Sequence, residues 1–328
     1  MIKEMKRLLE ARKWMKKNEE FLPTWHAHVG YSLDLFDHFA KGAKVQEVQR
    51  KQELDEALLK RWVEVGLAIG HLKKKRNGKV KSHKEMTRYI SRHSPYSVGV
   101  LLTEMMELHI PTLLSYKDAM KGKERVSYLE KDYGPIVAQT SSLLEALAFP
   151  KLMEVIKKNK ASSILDMGCG YGGYLSRIYE KNPDLTLTGI ELHEEIVKEA
   201  KEQTKQTNVE IIQGDIQDFY TKEYKSDIVM MNNLLYYFSM EERQDLFKNA
   251  KELLNKKGRL LIMAPLQNSK HGQAFSAAFN SFMSAHENLY PLPSEKEIKS
   301  YAKKSGLKVK KVSPIIKEGG WYLIEVAK

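Results

Sequence analysis

The sequence predicts an α/β protein in which a mainly helical region precedes a mostly parallel sheet with an antiparallel edge. Three observations carry this prediction. From residue 160 onward, short apolar strands alternate with helical segments. A glycine turn, Gly168 to Gly173, follows the first strand, and two strands at 307–316 and 321–327 face each other across a Gly-Gly turn. Strand–helix alternation is typical of a parallel sheet with helices on both faces, so seven strands are expected, the last two forming a hairpin.

The first half of the chain predicts helices at residues 1–20, 25–40, 45–50 and 54–66. Strands at 69–74 and 79–81 then flank Asn77-Gly78, which is a typical hairpin turn. Helices followed by a hairpin predict a winged-helix-like domain at 1–95. Residues 85–155 read as helical throughout, so 96–155 is expected to be a connector that roofs a pocket, and 156–328 the sheet domain. We expect the basic amphipathic helix at 1–20 to pack on its own chain.

Composition limits the classes of protein. Lys and Arg number 54 against 42 Asp and Glu, a formal charge of +12, which allows a nucleic-acid partner or a solvated basic surface. We favour the surface, because the lysines are spread along the whole chain; the helix at 54–66, which would read DNA in a winged helix, has only Lys60 and Arg61 as cations, among several acids. The single cysteine, Cys169, and the charged N-terminus favour a cytoplasmic protein without a secretory signal or membrane span. No metal site is expected.

Polar side chains follow four successive strands of the predicted sheet: Asp166, Glu191, Asp215 and Asn232. In an open α/β sheet, ligands bind at the carboxyl ends of the strands, so these side chains should meet in one crevice. Gly168-x-Gly170-x-x-Gly173 with Glu191 also fits a dinucleotide site. However, an acid just before the glycines favours a ligand that carries positive charge or amines over a pyrophosphate.

Consecutive segments of the chain resemble the motifs of class I S-adenosylmethionine-dependent methyltransferases, which have a Rossmann-like sheet. The segments are ILDMGCGYGG, GIELHEE, IIQGDIQDF, NNLLYYF and LLNKKGRLLIMAP. More narrowly, FDHFAKGAKVQEVQ, LLKRWVEVGL and PSEKEIKSYAKKSGL resemble the bacterial small-molecule O-methyltransferases with a winged-helix-like N-terminal domain. In that family this domain serves dimerisation and pocket closure, so a homodimer through the N-terminal helices is expected.

The resemblance implies S-adenosylmethionine as cofactor and a role for each matching residue. The Gly168–Gly172 turn would contact the methionine part, and Asp166 would hold the turn and the amino group. Glu191 would accept both ribose hydroxyls, Asp215 the adenine amine, and Asn232 would offer its backbone near the cofactor amine. The implied cofactor-binding set is Asp166, Gly168, Cys169, Gly170, Gly172, Glu191, Leu192, Asp215, Ile216 and Asn232, with Leu192 and Ile216 packing on the adenine.

The resemblance implies an acceptor site of aromatic side chains, with Asn233, Tyr236, Tyr237 and Phe279 as substrate contacts. The family often has histidine after the fourth strand, where this chain has tyrosines. The resemblance implies a general base at a histidine near the helix after the fifth strand, where His271 and His286 are available; His271 is the favoured candidate, and we expect His286 to lie at the surface. A small, aromatic acceptor methylated on oxygen or nitrogen is the favoured reading. A nucleic-acid methyltransferase and a non-enzymatic binding module stay open as alternatives.

Overall fold

The computed structural model describes residues 2–128, 134–217, 219 and 224–328, and packing divides the chain into Met1–Pro111 and Thr112–Lys328. The expected three-part division, with a connector at 96–155, stays a prediction. The described helices include none that is long and apolar enough to cross a membrane.

The first unit contains the expected hairpin and helices, except that the expected single helix at 25–40 is wrong: the structure has two helices, Phe21–Ser32 and Leu35–His38, because Asp34 between them has a left-handed φ of 52°. Asp55 caps the fifth helix by accepting a hydrogen bond from the Leu58 N–H at 2.8 Å. The antiparallel hairpin turns at Asn77, whose φ of 59° lies in the left-handed region. The core gathers Phe36, Phe39 and Trp62. The elements are α1 Ile2–Glu19, α2 Phe21–Ser32, α3 Leu35–His38, α4 Val45–Gln52, α5 Glu56–Ala68, β1 Leu72–Lys74, β2 Val80–Ser82 and α6 Gly99–Thr103, with π-helical turns at Met86–Ile90 and Glu104–His109.

Helix α1 differs from its expectation. None of its residues is buried, and Leu8 and Leu9 are 61% and 50% exposed. The prediction that α1 packs its apolar side on its own chain is therefore wrong. The amphipathic pattern identified an apolar side correctly but could not say which surface covers it.

The second unit is the sheet domain. Its elements are α7 Ile110–Ala119, α8 Gly134–Lys158, β3 Ser163–Met167, α9 Gly173–Lys181, β4 Thr186–Glu191, α10 Glu194–Thr204, β5 Val209–Gln213, β6 Ser226–Asn232, α11 Met240–Leu253, β7 Leu254–Pro265, α12 Gln273–Ser284, α13 Glu295–Lys304, β8 Lys308–Ile316 and β9 Trp321–Ala327. Helix α7 begins at the end of the first unit. Residues 91–98 and 120–128 are not helical, so the expectation of helix throughout 85–155 is wrong there.

The sheet has seven strands in the order β5-β4-β3-β6-β7-β9-β8. β5, β4, β3, β6 and β7 run parallel, whereas β9 pairs antiparallel with both β7 and β8. The fold class predicted from the sequence is therefore confirmed. Alternate residues of β3 enter opposite cores, since Ile164 packs with α8 and α9 while Leu165 packs with α11 and α13. Because β4, β3 and β6 are parallel neighbours in the sheet, their carboxyl ends lie side by side.

Candidate active site

The glycine turn after β3 is anchored to the neighbouring strand β4. The N–H groups of Gly168 and Cys169 both donate to the Ile190 carbonyl at 2.9 Å. Gly168, Gly170 and Gly172 have φ of 70°, 54° and 76°, which side chains with a Cβ rarely adopt. A Cβ at Gly170 would meet no atom within 4 Å, so open space lies beside the backbone here. The turn can therefore admit a ligand to close backbone contact.

Glu191, at the tip of β4, is fixed by three backbone donors. Its Oε1 accepts from the Leu192 N–H at 2.9 Å and the His193 N–H at 3.1 Å, and Oε2 accepts from the Gly170 N–H at 3.1 Å. An ionised carboxylate offers about four acceptor positions, so capacity remains at Oε2. The side chain of Leu192 next to it is 53% exposed and offers an apolar surface at the site.

Asp166 and Asn232 join the tips of β3 and β6. The Asn232 Nδ2 donates to Asp166 Oδ1 at 3.0 Å, and Asp166 is almost fully buried. Burial raises the pKa of Asp166 well above its usual range, and the Glu145 carboxylate raises it further. Among the described residues, the buried Oδ1 of Asn232 accepts no hydrogen bond. Because a buried acceptor without a donor is costly, this atom fits a ligand that brings an N–H group.

Glu145 belongs to the site although the sequence analysis missed it. It lies on α8, and a Cβ at Gly173 would clash with its carboxylate, so the two are in direct contact at the start of α9. Arg177 approaches it with Nε at 3.5 Å from Oε2. Burial raises the pKa of Glu145, and Arg177 opposes that shift. The sequence feature that could have identified Glu145 is its position as the lone acid in the apolar run LLEALAF.

Three carboxylates, those of Glu145, Asp166 and Glu191, thus lie around the glycine turn. Glu145 and Glu191 both raise the pKa of Asp166, as like charges do at short range. A positively charged ligand would relieve this repulsion, whereas a pyrophosphate would add to it. The electrostatics therefore favour a cationic ligand at this turn over a dinucleotide.

Three other predicted cofactor residues lie close to the turn or to β5. Cys169 is mostly buried, and burial raises the pKa of its thiol, which suits a packing role. Asp215 is exposed, and its Oδ1 accepts from the Gln217 N–H at 2.8 Å. Ile216 is only 6% exposed and packs in the core with α11. Little of the Ile216 side chain is thus available to cover a ligand.

An aromatic cluster contains the predicted substrate contacts. The ring of Tyr236 lies 4.9 Å from Tyr237 and 6.0 Å from Phe279, and Phe279 lies 5.6 Å from Trp321. Trp321 donates its Nε1–H to the Asn233 Oδ1 at 3.0 Å, which ties the cluster to the residue after Asn232. The structure therefore brings Asn233, Tyr236, Tyr237 and Phe279 together. Trp321, which the sequence analysis did not include among the substrate contacts, belongs to the same cluster.

The two candidate histidines differ in burial and surroundings. His271 lines a concavity of about 490 Å³ with Lys270, Glu295 and Lys299, and no member of the aromatic cluster lines it. His286 is fully buried, so the expectation of a surface position is wrong. Its ring lies 4.6 Å from Phe282, which stacks on Phe279.

The hydrogen bond of His286 suggests which nitrogen is basic. Its Nδ1 lies 2.9 Å from the Phe282 carbonyl oxygen, which can only accept, so Nδ1 carries the proton and Nε2 is the basic nitrogen. His286 is thereby linked to the aromatic cluster through Phe282, whereas His271 lies among charged side chains.

Comparison with known protein families gives a match at the centre of the sheet domain. The family model described as "Methyltransferase domain" matches residues 164–258. The phosphoethanolamine N-methyltransferase of Plasmodium falciparum is 31% identical over 118 residues, which are 35% of this chain and 43% of that protein. A tRNA (guanine-N(7)-)-methyltransferase of Clostridium botulinum is 38% identical over 47 residues, 14% of this chain and 22% of its own length. The chain thus matches less than half the length of these curated relatives.

Solved structures match nearly the whole chain at low sequence identity. Human N-acetylserotonin methyltransferase with S-adenosylmethionine superposes with a TM-score of 0.81 at 14% identity, covering 97% of both chains. PigF with S-adenosylhomocysteine superposes with a TM-score of 0.78 at 17% identity, covering 97% of this chain and 99% of that one. An O-methyltransferase family protein of Burkholderia thailandensis gives 0.76 at 18% identity, with 97% and 98% covered. Residues 164–258 therefore match a methyltransferase domain, and the chain has the fold of the class I S-adenosylmethionine-dependent methyltransferases.

Proposed function

We propose that this protein transfers a methyl group from S-adenosylmethionine to an oxygen or nitrogen of a small, aromatic acceptor. The observation that carries the proposal is the buried Asn232 Oδ1, which has no donor among the described residues and lies at the glycine turn. The ammonium group of the cofactor's methionine part is a donor of the kind that this atom lacks. The surrounding carboxylates favour the same positive charge.

Different groups of residues fit the methionine, ribose and adenine parts of the cofactor. Asp166, Asn232 and the Gly168–Gly172 turn would hold the methionine part, while Glu191 Oε2 would accept from the ribose and Leu192 would pack on the adenine. Asp215 would accept from the adenine amine, with Ile216 contributing less than its position in the sequence implied. When bound, the cofactor supplies an electrophilic methyl group on a sulfonium sulfur.

The aromatic cluster would hold the acceptor next to the glycine turn. Asn233 directly follows Asn232, so its bond to Trp321 fixes the cluster relative to the cofactor residues. Transfer by in-line displacement depends chiefly on this positioning and on exclusion of water. Phe275 also belongs to the cluster, since its ring stacks on Phe279 at 6.2 Å. A flat acceptor that stacks on Tyr237 or Phe275, which are 40% and 38% exposed, fits these side chains.

We propose His286, rather than His271, as the general base for acceptors that must lose a proton. His286 is buried beside the aromatic rings, and its Nδ1 lies within hydrogen-bond distance of the Phe282 carbonyl, which assigns the proton of the neutral ring to Nδ1. His286→Ala should therefore lose turnover with such acceptors. His271→Ala is the matched control, since both residues follow β7 in the chain. Loss of turnover in His271→Ala, with His286→Ala unaffected, would restore the sequence-based assignment.

A homodimer formed through the N-terminal helices is part of the proposal. Helix α1 leaves Ile2, Met5, Leu8 and Met15 between 61% and 71% exposed, and Leu114 and Leu147 are 77% and 60% exposed. Monomeric proteins rarely expose large apolar patches, and two-fold association is the commonest way to cover them. On this proposal the winged-helix-like unit serves association in the cytoplasm.

A transfer assay tests the function directly. Labelled S-adenosylmethionine is incubated with the protein and a panel of phenols, catechols and aromatic amines, and in parallel with unmodified tRNA and duplex DNA. Label should enter a small aromatic molecule. Transfer only to nucleic acid, together with salt-dependent nucleic-acid binding, would overturn the proposal and support the nucleic-acid alternative.

A further inference from the structure

The β1–β2 hairpin and the loop before α4 line an open, basic concavity of about 740 Å³. We call it the wing concavity. Apart from Gly42, every residue that lines it is a lysine or an arginine, and the lining includes no acid among the described residues. The lining cations are Lys41, Lys74, Lys75, Arg76, Lys79 and Lys81.

The hairpin holds these cations in place through its apolar side. Leu72 and Val80 are buried in the core of the first unit, whereas residues 73–79 are exposed. The loop carrying Lys41 is fixed to the hairpin, because Ala43 and Val80 exchange two backbone hydrogen bonds of 3.0 and 2.8 Å. The cations therefore project from a two-stranded support and an attached loop, and not from a free terminus.

The hairpin itself carries no acid that could balance the charge of the wing concavity. Glu64 and Glu85 are the acids nearest to the hairpin in sequence, and no acid occurs between them. The cations of the neighbouring helix α5 contrast with this, since Lys60 pairs with Glu56 at 2.7 Å and Arg61 with Glu64 at 2.6 Å. Like charges held together around one depression repel each other, and a bound anion would relieve that repulsion.

We propose that the wing concavity binds a compact anion carrying several phosphate groups. Lysine ammonium groups bind phosphate as point charges, and the volume lies in the range of small-ligand sites. A compact anion fits better than an extended duplex, because the α5 cations that would continue a basic track are already paired with acids. The phosphates can belong to a soluble polyphosphate or to a lipid headgroup, and the two sources share this chemistry.

Titration of the full-length protein tests the site. Sodium tripolyphosphate is titrated calorimetrically at fixed ionic strength, and flotation with phosphatidylcholine vesicles, with or without a phosphoinositide, forms the second arm. The test variant is Lys74→Gln/Lys75→Gln/Lys79→Gln. The control Lys303→Gln/Lys304→Gln/Lys308→Gln removes the same charge from exposed positions of the other unit.

We expect the wild type to bind in at least one arm and the test variant to bind roughly tenfold more weakly or not at all, with the control unchanged. Binding in the vesicle arm alone supports the site with a lipid headgroup as source. Absence of wild-type binding in both arms overturns the proposal, as does an equal loss in the control. Because all six substituted side chains are exposed, thermal unfolding of both variants should match the wild type.

Discussion

Replacing Glu191 by alanine should weaken cofactor binding while leaving the fold intact. The carboxylate is only 8% exposed, and three backbone N–H groups orient it so that Oε2 retains acceptor capacity. Hydrogen bonds to a charged group contribute roughly 1.5–3 kcal/mol each. Loss of the ribose contact should therefore weaken affinity for S-adenosylhomocysteine roughly 10- to 150-fold, since about 1.4 kcal/mol corresponds to a factor of ten.

Calorimetric titration of paired variants measures this effect. Glu210→Ala is the matched control, because Glu210 is an exposed acid on the adjacent strand β5, opposite Thr188 of β4. It removes the same charge from the same sheet and should leave affinity unchanged. The affinity of Glu191→Gln, which keeps one acceptor oxygen, should lie between those of Glu191→Ala and the wild type. Unchanged affinity in a folded Glu191→Ala protein would refute the ribose assignment.

Three further predictions address the other parts of the account. Glu145→Gln should weaken S-adenosylmethionine binding a few-fold more than S-adenosylhomocysteine binding, because only the former carries the sulfonium charge; an equal loss for both ligands, measured calorimetrically, would indicate a purely structural role. Burial and the neighbouring His71 lower the pKa of His26 to about 3, so folding stability is retained above the unfolded pKa of 6.5 and falls below it. The loss should reach about 2.7 kcal/mol near pH 4.5 in urea unfolding, and an equally steep pH dependence in His26→Asn would contradict this. Light scattering should give a dimer mass that Leu8→Asp/Leu9→Asp reduces to a monomer, whereas a monomeric wild type would exclude the dimer.

The fold and the strand-tip residues could be predicted from the sequence because both follow from periodicity. Alternating strands and helices specify a parallel sheet, and a parallel sheet places the ends of neighbouring strands at one edge. Asp166 and Asn232 are bonded across β3 and β6 as that reasoning requires. The hairpin of β8 and β9 was likewise marked by its Gly-Gly turn.

The missed features depend on how side chains pack over long sequence separations. Glu145 reaches the glycine turn from α8, and only the contact with Gly173 identifies its role. His286 is buried because Tyr128, from much earlier in the chain, packs against its ring together with the nearby Phe282, and no local pattern encodes the Tyr128 contact. The exposure of α1 depends on what covers it, which its own sequence does not specify.

Calorimetric titration of the wild-type protein with S-adenosylmethionine, S-adenosylhomocysteine and NAD distinguishes a methyl-donor site from a dinucleotide site. The acids around the glycine turn, and the Asn232 acceptor that has no donor within the described part of the chain, predict that both methionine-derived ligands bind and that NAD does not. Tight binding of NAD, with no response to S-adenosylmethionine or S-adenosylhomocysteine, would contradict the account.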